Sequence, residues 1–457
     1  MEQIEIQKTY INKVFDINKD KKLSYSILTM GCQLNENDSE KISGMVEKMG
    51  YNYTANFKNA DLVILNTCCV RENAEDRLFG KLGELKKSKK QYGTIIAIGG
   101  CMMQEKHIQN KIKQSYPFVD IVFGTHTLHR LPEDIYKAII EKKKIDDIID
   151  IDGEIYEGIP IKRNDNIKAS VTIMYGCNNF CTYCIVPYVR GRERSRNSKD
   201  IINEIKDLAQ KGYKEIMLLG QNVNSYDGGN GYKFANLLRD VNCIKGLEKI
   251  RFISPHPKDF TPDVIAAIKE CKNVSKNIHL PLQSGSTNIL KAMNRKYSKE
   301  QYIELVNKIK NEVSGVTFST DIIVGFPGET KEDFNDTLDV VKKVGFEQVY
   351  MFIYSRRVGT IADKMENQIS EEVKHIRFNE LKELVEKQME KRNEEYVGSI
   401  QNILVEGTSK TNKDLYTGRT DSNKVVVFSG NKSMIGKIIN CEITKNCLWY
   451  LQGKVIN

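Results

Sequence analysis

Apolar runs typical of buried strands alternate with segments of helical spacing along most of this chain, and this alternation is the strongest constraint on its fold. In the first third, strand-like runs cover residues 25–30, 61–67, 94–100 and 119–123, with helical spacing over 40–49 and 73–87. Strands separated by helices predict βαβ units and a parallel sheet. We therefore expect a parallel-sheet, Rossmann/flavodoxin-like domain over residues 24–145, after a charged leader extension of residues 1–23.

The same pattern restarts at residue 168, after a charged connector of residues 146–166. Strand-like runs follow at 169–174, 215–219, 249–253, 277–282, 317–324 and 348–354, separated by helical segments that include 200–210, 263–270, 299–312 and 331–344. Six such repeats predict a partial TIM-like (β/α)6 barrel over residues 167–396, closed by a long amphipathic helix over 371–396. Barrels of this kind carry their active sites at the carboxyl ends of the strands.

The last segment, residues 397–457, has the pattern of a small antiparallel β-barrel. Short strand-like runs lie at 400–405, 425–428, 438–443 and 448–455, with glycines at the breaks. From residue 395 onward there are eight lysines and arginines against five acidic residues. Basic barrels of this size bind nucleic acid through charge and exposed aromatics. Tyr416 and Arg419 are the candidate RNA contacts; Trp449 is a third, with a core position as its alternative.

Composition indicates a globular protein, since 40% of the 457 residues are hydrophobic and 28% are charged. No apolar run approaches the roughly 20 residues needed to cross a bilayer, and the charged N-terminus does not resemble a secretory signal. We expect a cytoplasmic protein without a membrane partner. The net charge of +9 favours a polyanionic partner, and eleven cysteines in a reducing compartment indicate metal or redox use.

The cysteines with the most informative spacing are Cys177, Cys181 and Cys184, which follow the strand-like run at 169–174. A four-iron cluster is normally held by four thiolates, so three close cysteines leave one iron open to another ligand. An open coordination site indicates chemistry. The alternative, a structural zinc knot, requires a fourth Cys or His nearby.

A second set of three cysteines is predicted by position. Cys32, Cys68 and Cys101 each lie just past the end of a strand-like run, and the carboxyl ends of parallel strands share one edge of a sheet. A single free cysteine is most often a small buried apolar residue, but three such positions favour a second cluster. Cys69 is expected to point elsewhere and is treated as a non-ligand.

These motifs resemble a known family. The Cys177, Cys181, Cys184 spacing, with Tyr183 before the last thiol, resembles the signature of radical S-adenosylmethionine enzymes. Together with the run from Ile185 to Arg196 and the three N-terminal cysteines, it resembles the methylthiotransferases, and among these the MiaB-type enzymes that modify tRNA. The resemblance covers nearly everything after residue 24, including a C-terminal TRAM domain.

The resemblance implies two 4Fe–4S clusters with distinct tasks. The cluster on Cys177, Cys181 and Cys184 would cleave S-adenosylmethionine reductively to a 5′-deoxyadenosyl radical, using electrons from a donor such as flavodoxin or ferredoxin. The auxiliary cluster on Cys32, Cys68 and Cys101 would hold a sulfur atom that a further S-adenosylmethionine methylates. The implied product is 2-methylthio-N6-isopentenyladenosine at position 37, in the anticodon loop of tRNA.

Further site residues are predicted by their position after barrel strands. Gln221, Asn222, Gln283 and Asp321 are candidates to bind S-adenosylmethionine, although an aspartate within a strand can also serve neighbouring backbone groups. Tyr183 is a further candidate because of its place in the cysteine motif. The run of Arg190, Arg192, Arg194, Arg196 and Lys199 is a candidate to bind anticodon-loop phosphates or the cofactor carboxylate, with a solvated charged loop as the alternative.

Two other functions remain open on the sequence alone. The same reaction could act on a threonylcarbamoyladenosine-bearing tRNA or on a ribosomal-protein aspartate. A non-catalytic iron–sulfur protein that binds RNA is an alternative of another class, although two sites with three cysteines each argue against it.

Overall fold

A computed structural model describes residues 2–70, 74–149 and 153–456, without the side chain of Glu2. Contacts divide the chain into two compact units, each formed from separate stretches of sequence. The first contains Met1–Asn164, Met174–Asn178 and Cys184–Arg196, and the second contains Asp165–Ile173, Asn179–Tyr183 and Asn197–Asn457. Cys181 therefore belongs to one unit, and Cys177 and Cys184 belong to the other. The predicted start of a helix at residue 73 and the middle of the predicted connector, 150–152, lie outside the described residues.

The first unit contains a parallel sheet flanked by helices, as predicted. Its sheet has the order β2-β1-β3-β4-β5-β6, and every neighbouring pair is parallel. Alternating helices and strands in this order are typical of a doubly wound fold. The elements are α1 (Glu2–Asn18), β1 (Ser24–Met30), α2 (Gln33–Lys48), β2 (Asn52–Tyr53), β3 (Leu62–Thr67), α3 (Ala74–Tyr92), β4 (Ile95–Gly100), α4 (Lys106–Ser115), β5 (Ile121–Phe123), α5 (Leu131–Ile140) and β6 (Ile145–Asp147).

Two predicted boundaries of this unit differ from the structure. The leader is helix α1, and its Ile11 and Val14 are buried in the same core cluster as Leu131 and Ile135 of α5. Its last residue, Asn18, donates a hydrogen bond to the carbonyl of Met49 at 2.9 Å. The predicted connector begins inside β6, which pairs with β5. Charge concealed both elements, because charged residues are interspersed with their apolar residues.

The second unit contains the predicted partial barrel. Two parallel sheets have the orders β11-β10-β7 and β12-β13-β14, and a parallel bridge joins Ile250 of the first sheet to Val274. The next elements of the chain are β7 (Lys168–Thr172), β8 (Met174–Tyr175), α6 (Val186–Arg190), β9 (Arg194–Ser195), α7 (Ser198–Gln210), β10 (Glu215–Leu219), α8 (Phe234–Asn242), β11 (Lys249–Phe252), α9 (Pro262–Glu270), β12 (Asn277–His279), α10 (Thr287–Ala292), α11 (Lys299–Glu312), β13 (Thr317–Val324), α12 (Lys331–Val344), β14 (Gln348–Ile353) and α13 (Glu371–Glu394). Of these, β8, α6 and β9 fall in the first unit.

The C-terminal segment closes into the predicted small barrel. Its order is β15-β16-β17-β19-β18, formed by β15 (Ile400–Thr408), β16 (Leu415–Arg419), β17 (Val425–Ser429), β18 (Ile438–Asn446) and β19 (Leu451–Val455). Its core includes Ile403, Val405, Phe428 and Cys441. The strand β16 was not predicted, because its polar and glycine residues give it no clear apolar alternation. In the described part of the chain, every helix is too short or too polar to span a bilayer.

Candidate active site

Three adjacent strands of the first unit end beside the predicted auxiliary cysteines. In the register of the sheet, Met30 of β1 pairs with Thr67 of β3, which pairs with Gly100 of β4. Cys68 and Cys101 follow their strands directly, and Cys32 follows Gly31. Cys68 is near enough to Cys32 to be the largest influence on the pKa of its thiol. The structure thus brings the ends of these three strands together as the sequence predicted.

Small and amide side chains allow this close approach. Gly100 has a φ of 97°, and a Cβ there would lie 2.3 Å from the carbonyl oxygen of Thr67. The amide of Asn35 accepts from the Cys32 backbone N–H at 3.2 Å and donates to the Thr67 carbonyl at 3.0 Å. Asn66 in turn donates to the Asn35 carbonyl at 2.8 Å. This buried amide network fixes the Cys32 loop against the end of β3.

Neighbouring thiols and Arg190 set the proton affinities of the predicted auxiliary cysteines. Cys68, and then the positive charge of Arg190, lower the pKa of Cys32 to about 5 against the opposing effect of burial. The pKa of Cys101 is also lowered, first by Cys69 and then by Arg190, against the opposing effect of burial. Cys32 and burial raise the pKa of Cys68. Thiolates are the form that binds metals, so Cys32 and Cys101 most readily supply that form.

The expectation that Cys69 points elsewhere is wrong. Its thiol is buried, and the neighbouring Cys101 and burial raise the pKa of Cys69 well above its usual range. Cys69 and Cys101 also pack with Ile185 and Val189 from the segment that follows Cys184. A fourth thiol is thus present beside the three predicted ones.

Arg190 is not an exposed RNA contact. It is 5% exposed, its Nε donates to the sulfur of Cys101 at 3.1 Å, and a terminal nitrogen donates to a carboxylate oxygen of Asp38 at 2.8 Å. A buried guanidinium engaged in this way cannot also reach a phosphate in solvent. The predicted RNA role of Arg190 is therefore corrected.

In the first unit, the segment around Cys177 is held by a close backbone contact. Gly176 has a φ of 76°, and a Cβ there would lie 2.0 Å from the carbonyl oxygen of Arg192. The backbone N–H of Cys177 donates to the carbonyl of Gly191 at 3.2 Å. Tyr175 pairs with Arg194 in the two-stranded sheet β8-β9. Glycine at position 176 is what permits this approach.

In the second unit, the loop that carries Cys181 is fixed by α10 and the residues after it. The amide of Asn294 donates to the carbonyls of Asn179 at 3.1 Å and Phe180 at 3.0 Å. Thr182 donates through its backbone to Met293 at 3.0 Å. Arg295, which is 8% exposed, donates to the sulfur of Cys181 at 3.6 Å.

Three of the predicted cofactor-binding residues lie near the ends of β12 and β13. The carboxylate of Asp321 lies 3.3 Å from Nε2 of His279, whose Nδ1 lies 3.1 Å from the Ser319 hydroxyl. Gln283 is buried with a φ of 74°, and its backbone N–H donates to the Asp321 carbonyl at 2.9 Å. Tyr183 packs against the apolar cluster that contains Phe326.

The other two candidates follow β10. Gln221 is half-buried, while Asn222 is buried and donates its amide to a carboxylate oxygen of Asp259 at 2.8 Å. Asn222 therefore anchors its loop to the segment after β11. Gln221 is the more accessible of the two.

The remaining arginines of the predicted RNA-binding run divide by exposure. Arg196 is buried and forms two hydrogen bonds with the Glu157 carboxylate, at 2.7 and 2.6 Å, so its predicted RNA role is also corrected. Arg194 is half-buried and donates to the carbonyl of Arg190 at 2.8 Å. Arg192 and Lys199 are exposed.

In the C-terminal barrel, Trp449 is the most exposed aromatic and Tyr450 is also exposed. Trp449 is 58% exposed, whereas Tyr416 is half-buried and packs against the barrel core. Arg419 forms an ion pair with Glu406 at 3.2 Å and donates to the Asn423 carbonyl at 3.0 Å, which reduces the charge it offers to a phosphate. The exposed lysines of this barrel are Lys410, Lys413, Lys432, Lys437, Lys445 and Lys454.

Comparison with known proteins identifies the family over the full length of the chain. Residues 171–341 match the Radical SAM superfamily, residues 24–124 match the Uncharacterized protein family UPF0004, and residues 394–456 match the TRAM domain. The tRNA-2-methylthio-N(6)-dimethylallyladenosine synthase of Clostridium perfringens (strain SM101 / Type A) is 53% identical, covering 96% of this chain and 99% of the relative. The enzymes of the same name from Clostridium beijerinckii and Acetivibrio thermocellus are 55% identical (96% of this chain, 99% of the relative) and 51% identical (100% and 97%).

This chain belongs to the tRNA-2-methylthio-N(6)-dimethylallyladenosine synthase family. It is accordingly a transferase of the radical S-adenosylmethionine class, and that class implies S-adenosylmethionine and a 4Fe–4S cluster. Two solved structures share its fold. The radical S-adenosylmethionine methyltransferase TsrM from Kitasatospora setae has a TM-score of 0.54 at 13% identity, covering 74% of this chain and 75% of that one. The cobalamin-dependent enzyme OxsB has a TM-score of 0.51 at 16% identity, covering 80% and 56%.

The donor set at each predicted site is three thiols, a chemistry that suits an iron–sulfur cluster. In the described ranges, no group of three or more His, Cys, Asp or Glu side chains is placed to hold one metal ion. A four-iron cluster instead receives each thiolate on a different iron, so its ligands need not converge on one point. The zinc-knot alternative therefore finds no arrangement of described side chains to support it.

Sequence reasoning missed three residues that touch the candidate site. Cys69 was set aside because neighbouring side chains usually diverge, Arg295 lies more than a hundred residues from the thiol it contacts, and His279 sits inside a strand. The available signals were the paired cysteines at 68 and 69 and the polar residues that alternate with apolar ones in β12. For Arg295 the sequence carried no local signal.

Proposed function

We propose that this enzyme inserts a sulfur atom and a methyl group at C2 of N6-isopentenyladenosine 37 in tRNA, giving 2-methylthio-N6-isopentenyladenosine. The observation that carries this proposal is the identity of 51–55% to synthases of that name over 96–100% of the chain. The two sets of three cysteines supply the thiolates that such a reaction requires. A non-catalytic RNA-binding protein would not need two sets of three cysteines.

Cys177, Cys181 and Cys184 are proposed to hold the cluster that binds S-adenosylmethionine, and Cys32, Cys68 and Cys101 to hold an auxiliary cluster. When bound, the two clusters and S-adenosylmethionine supply one-electron cleavage chemistry, a methyl group and a sulfur-binding iron. Support for the second set comes from the sheet register, which places three strand ends side by side. The amide network of Asn35 and Asn66 holds those ends in place.

Tyr183, Gln221, Gln283 and Asp321 are proposed to orient S-adenosylmethionine at the barrel rim. The backbone N–H of Gln283 donates to the Asp321 carbonyl, which holds the two residues side by side. His279 lies beside the Asp321 carboxylate and can fix its orientation. Asn222 is proposed to hold its loop in place rather than to contact S-adenosylmethionine, because its amide donates to Asp259.

The tRNA is proposed to contact exposed cations and aromatics of both units. In the first unit Arg192 is the exposed member of the arginine run, and in the second Lys199, Trp449 and the barrel lysines are exposed. Phosphate contacts position an RNA, and aromatic side chains stack on unpaired bases. An electron donor such as flavodoxin or ferredoxin is proposed to reduce the clusters.

The proposal is tested with purified protein reconstituted anaerobically with iron and sulfide. The enzyme is incubated with S-adenosylmethionine, a strong reductant and tRNA, and nucleosides are then analysed by mass spectrometry. Isopentenylated tRNA should gain the 2-methylthio group, whereas matched tRNA without the isopentenyl group and reactions with Cys177→Ala protein should not. Methylthiolation of a threonylcarbamoyladenosine tRNA or a ribosomal protein, with none on the isopentenylated tRNA, would overturn the substrate assignment.

A further inference from the structure

Arg190 forms a buried bridge between an auxiliary thiol and a carboxylate. Its Nε lies 3.1 Å from the Cys101 sulfur and a terminal nitrogen lies 2.8 Å from Asp38, while the side chains of Arg190 and Asp38 are only 6% and 9% exposed. A charge removed from water to this extent acts on its neighbours through a low effective dielectric. The Cys101 sulfur is therefore the atom most strongly affected by the guanidinium.

Arg295 makes an equivalent contact in the second unit. A terminal nitrogen of its buried guanidinium lies 3.6 Å from the Cys181 sulfur, another lies 2.9 Å from the Pro281 carbonyl, and its Nε lies 2.8 Å from the Tyr297 hydroxyl. Among the described residues, no carboxylate forms an ion pair with Arg295. Its position is fixed by neutral partners, so its full charge faces the thiol.

We propose that Arg190 and Arg295 are positioning residues, each of which raises the reduction potential of one iron–sulfur cluster by donating a hydrogen bond to a ligand sulfur. Reduction adds one negative charge to a cluster, and hydrogen bonds to sulfur and nearby net charge set cluster potentials. A guanidinium on a ligand sulfur stabilises the reduced form. For Arg190 this inference rests on the proposed auxiliary cluster, and for Arg295 it rests only on the cluster that the radical S-adenosylmethionine class implies.

A purely structural role for Arg190 gives a different set of effects. If the Arg190–Asp38 pair only supports packing, removing either partner leaves the other buried and unpaired, and both changes loosen the site in the same way. If Arg190 sets the potential, the two changes have opposite signs. Loss of Arg190 removes a positive charge beside the thiol, whereas Asp38→Asn removes the negative charge that opposes it.

The test measures midpoint potentials by anaerobic redox titration followed with electron paramagnetic resonance. The full-length protein is used in two backgrounds that each retain one cluster, one with the auxiliary cysteines changed to alanine and one with Cys177, Cys181 and Cys184 changed to alanine. The protein that keeps only the auxiliary cluster is used to compare Arg190→Met, Arg190→Lys and Asp38→Asn. The protein that keeps only the radical S-adenosylmethionine cluster is used to compare Arg295→Met and Arg295→Lys. Iron content and circular dichroism show that each variant binds its cluster and folds.

We expect Arg190→Met to shift the ratio of oxidised to reduced auxiliary cluster at least about tenfold toward oxidised, or about 59 mV for a one-electron couple. Asp38→Asn should shift it the other way, and the lysine variants should recover part of the loss. Arg295→Met should shift the ratio for the radical S-adenosylmethionine cluster toward oxidised in the same way. Shifts of the same sign for Arg190→Met and Asp38→Asn, or potentials unchanged by every arginine variant, would overturn the proposal.

The same preparations separate failure of this inference from failure of the proposed function. If wild-type protein binds about four irons rather than about eight, the assignment of an auxiliary cluster is wrong, and the proposed role of Arg190 is wrong as well. The Arg295 measurement then stands alone as a test. If both clusters bind and neither potential responds, the proposed function survives and this inference does not.

Discussion

Cys69 packs with Cys101 in a buried cluster that also contains Ile185 and Val189, so a predicted cluster ligand and its unpredicted neighbour lie side by side. Cys101 directly follows the last residue of β4 and contacts Arg190. Cys69 is the second residue after the end of β3. We therefore predict that Cys101→Ala lowers the reconstituted iron content from about eight to about four per chain, while Cys69→Ala leaves it near eight. Iron analysis of the two variants side by side decides which thiol is the ligand; loss of iron only on removal of Cys69 would reverse the assignment.

A buried ion pair secures the loop after β13. Arg377 lies 3.1 Å from Glu329, with side chains 9% and 4% exposed, and Glu329 also accepts from the Gly325 backbone at 2.7 Å. Breaking one partner of such a pair costs about 3–5 kcal/mol, because the other charge stays buried. Arg377→Ala should therefore lower stability in denaturant unfolding by about that amount. Lys331→Ala, which breaks an exposed pair with Glu380, is the control and should cost less than about 1 kcal/mol; equal effects would contradict the argument.

Trp449, the most exposed aromatic side chain of the C-terminal barrel, should contribute to RNA affinity. Trp449 is 58% exposed, and stacking of a base on such a side chain contributes about 1–3 kcal/mol. We predict that Trp449→Ala weakens tRNA binding by about tenfold with little change in thermal stability. Tyr416→Ala should show the opposite pattern, because Tyr416 packs on the barrel core. Binding measured at a fixed salt concentration, beside melting curves, distinguishes the two; unchanged affinity for Trp449→Ala would remove it from the interface.

Asp134 should make the stability of the first unit depend on pH. Burial, and then the nearby Asp147, raise the pKa of Asp134 to about 7 in the folded protein, whereas an unfolded aspartate titrates near 3.9. Between these values the folded state keeps a proton that the unfolded state releases, so stability should fall as pH rises from about 4 to about 7, by up to about 1.4 kcal/mol per pH unit. Asp134→Asn should flatten this slope, and the exposed-site variant Asp20→Asn should not. Melting temperatures across this pH range provide the check. If the dependence of stability on pH is unchanged in Asp134→Asn, other titrating groups cause it.

The strands and the cysteine positions were predictable because their signals are local. The bounds Glu215–Leu219, Thr317–Val324, Lys299–Glu312 and Lys331–Val344 match the sequence-based ranges, since each segment has a clear apolar period and a cap or break at its ends. The common edge for Cys32, Cys68 and Cys101 follows from the rule that parallel strands end together. Neither inference needed knowledge of distant contacts.

The errors came from residues whose environment is set far along the chain. Arg190 and Arg196 look like a solvated basic run in sequence, but both are buried, Arg190 in a buried ion pair with Asp38 and Arg196 in an ion pair with the partly exposed Glu157. The pairing of Arg295 with Cys181 likewise depends on α10 lying beside the cysteine loop. The charged helix α1 was taken for a leader, because only two of its residues reach the core cluster. Charge alone did not indicate exposure at any of these positions.

The central claim is that this enzyme methylthiolates isopentenylated tRNA in the cell. The most direct measurement is mass spectrometry of nucleosides from total tRNA of cells that lack this protein, complemented with wild-type protein or with the Cys177→Ala variant. We expect the 2-methylthio group to disappear while the isopentenyl group is retained, and only wild-type protein to restore it. Unchanged 2-methylthio-N6-isopentenyladenosine in cells without the protein, or restoration by the Cys177→Ala variant, would show that this enzyme does not carry out the reaction by radical chemistry at Cys177.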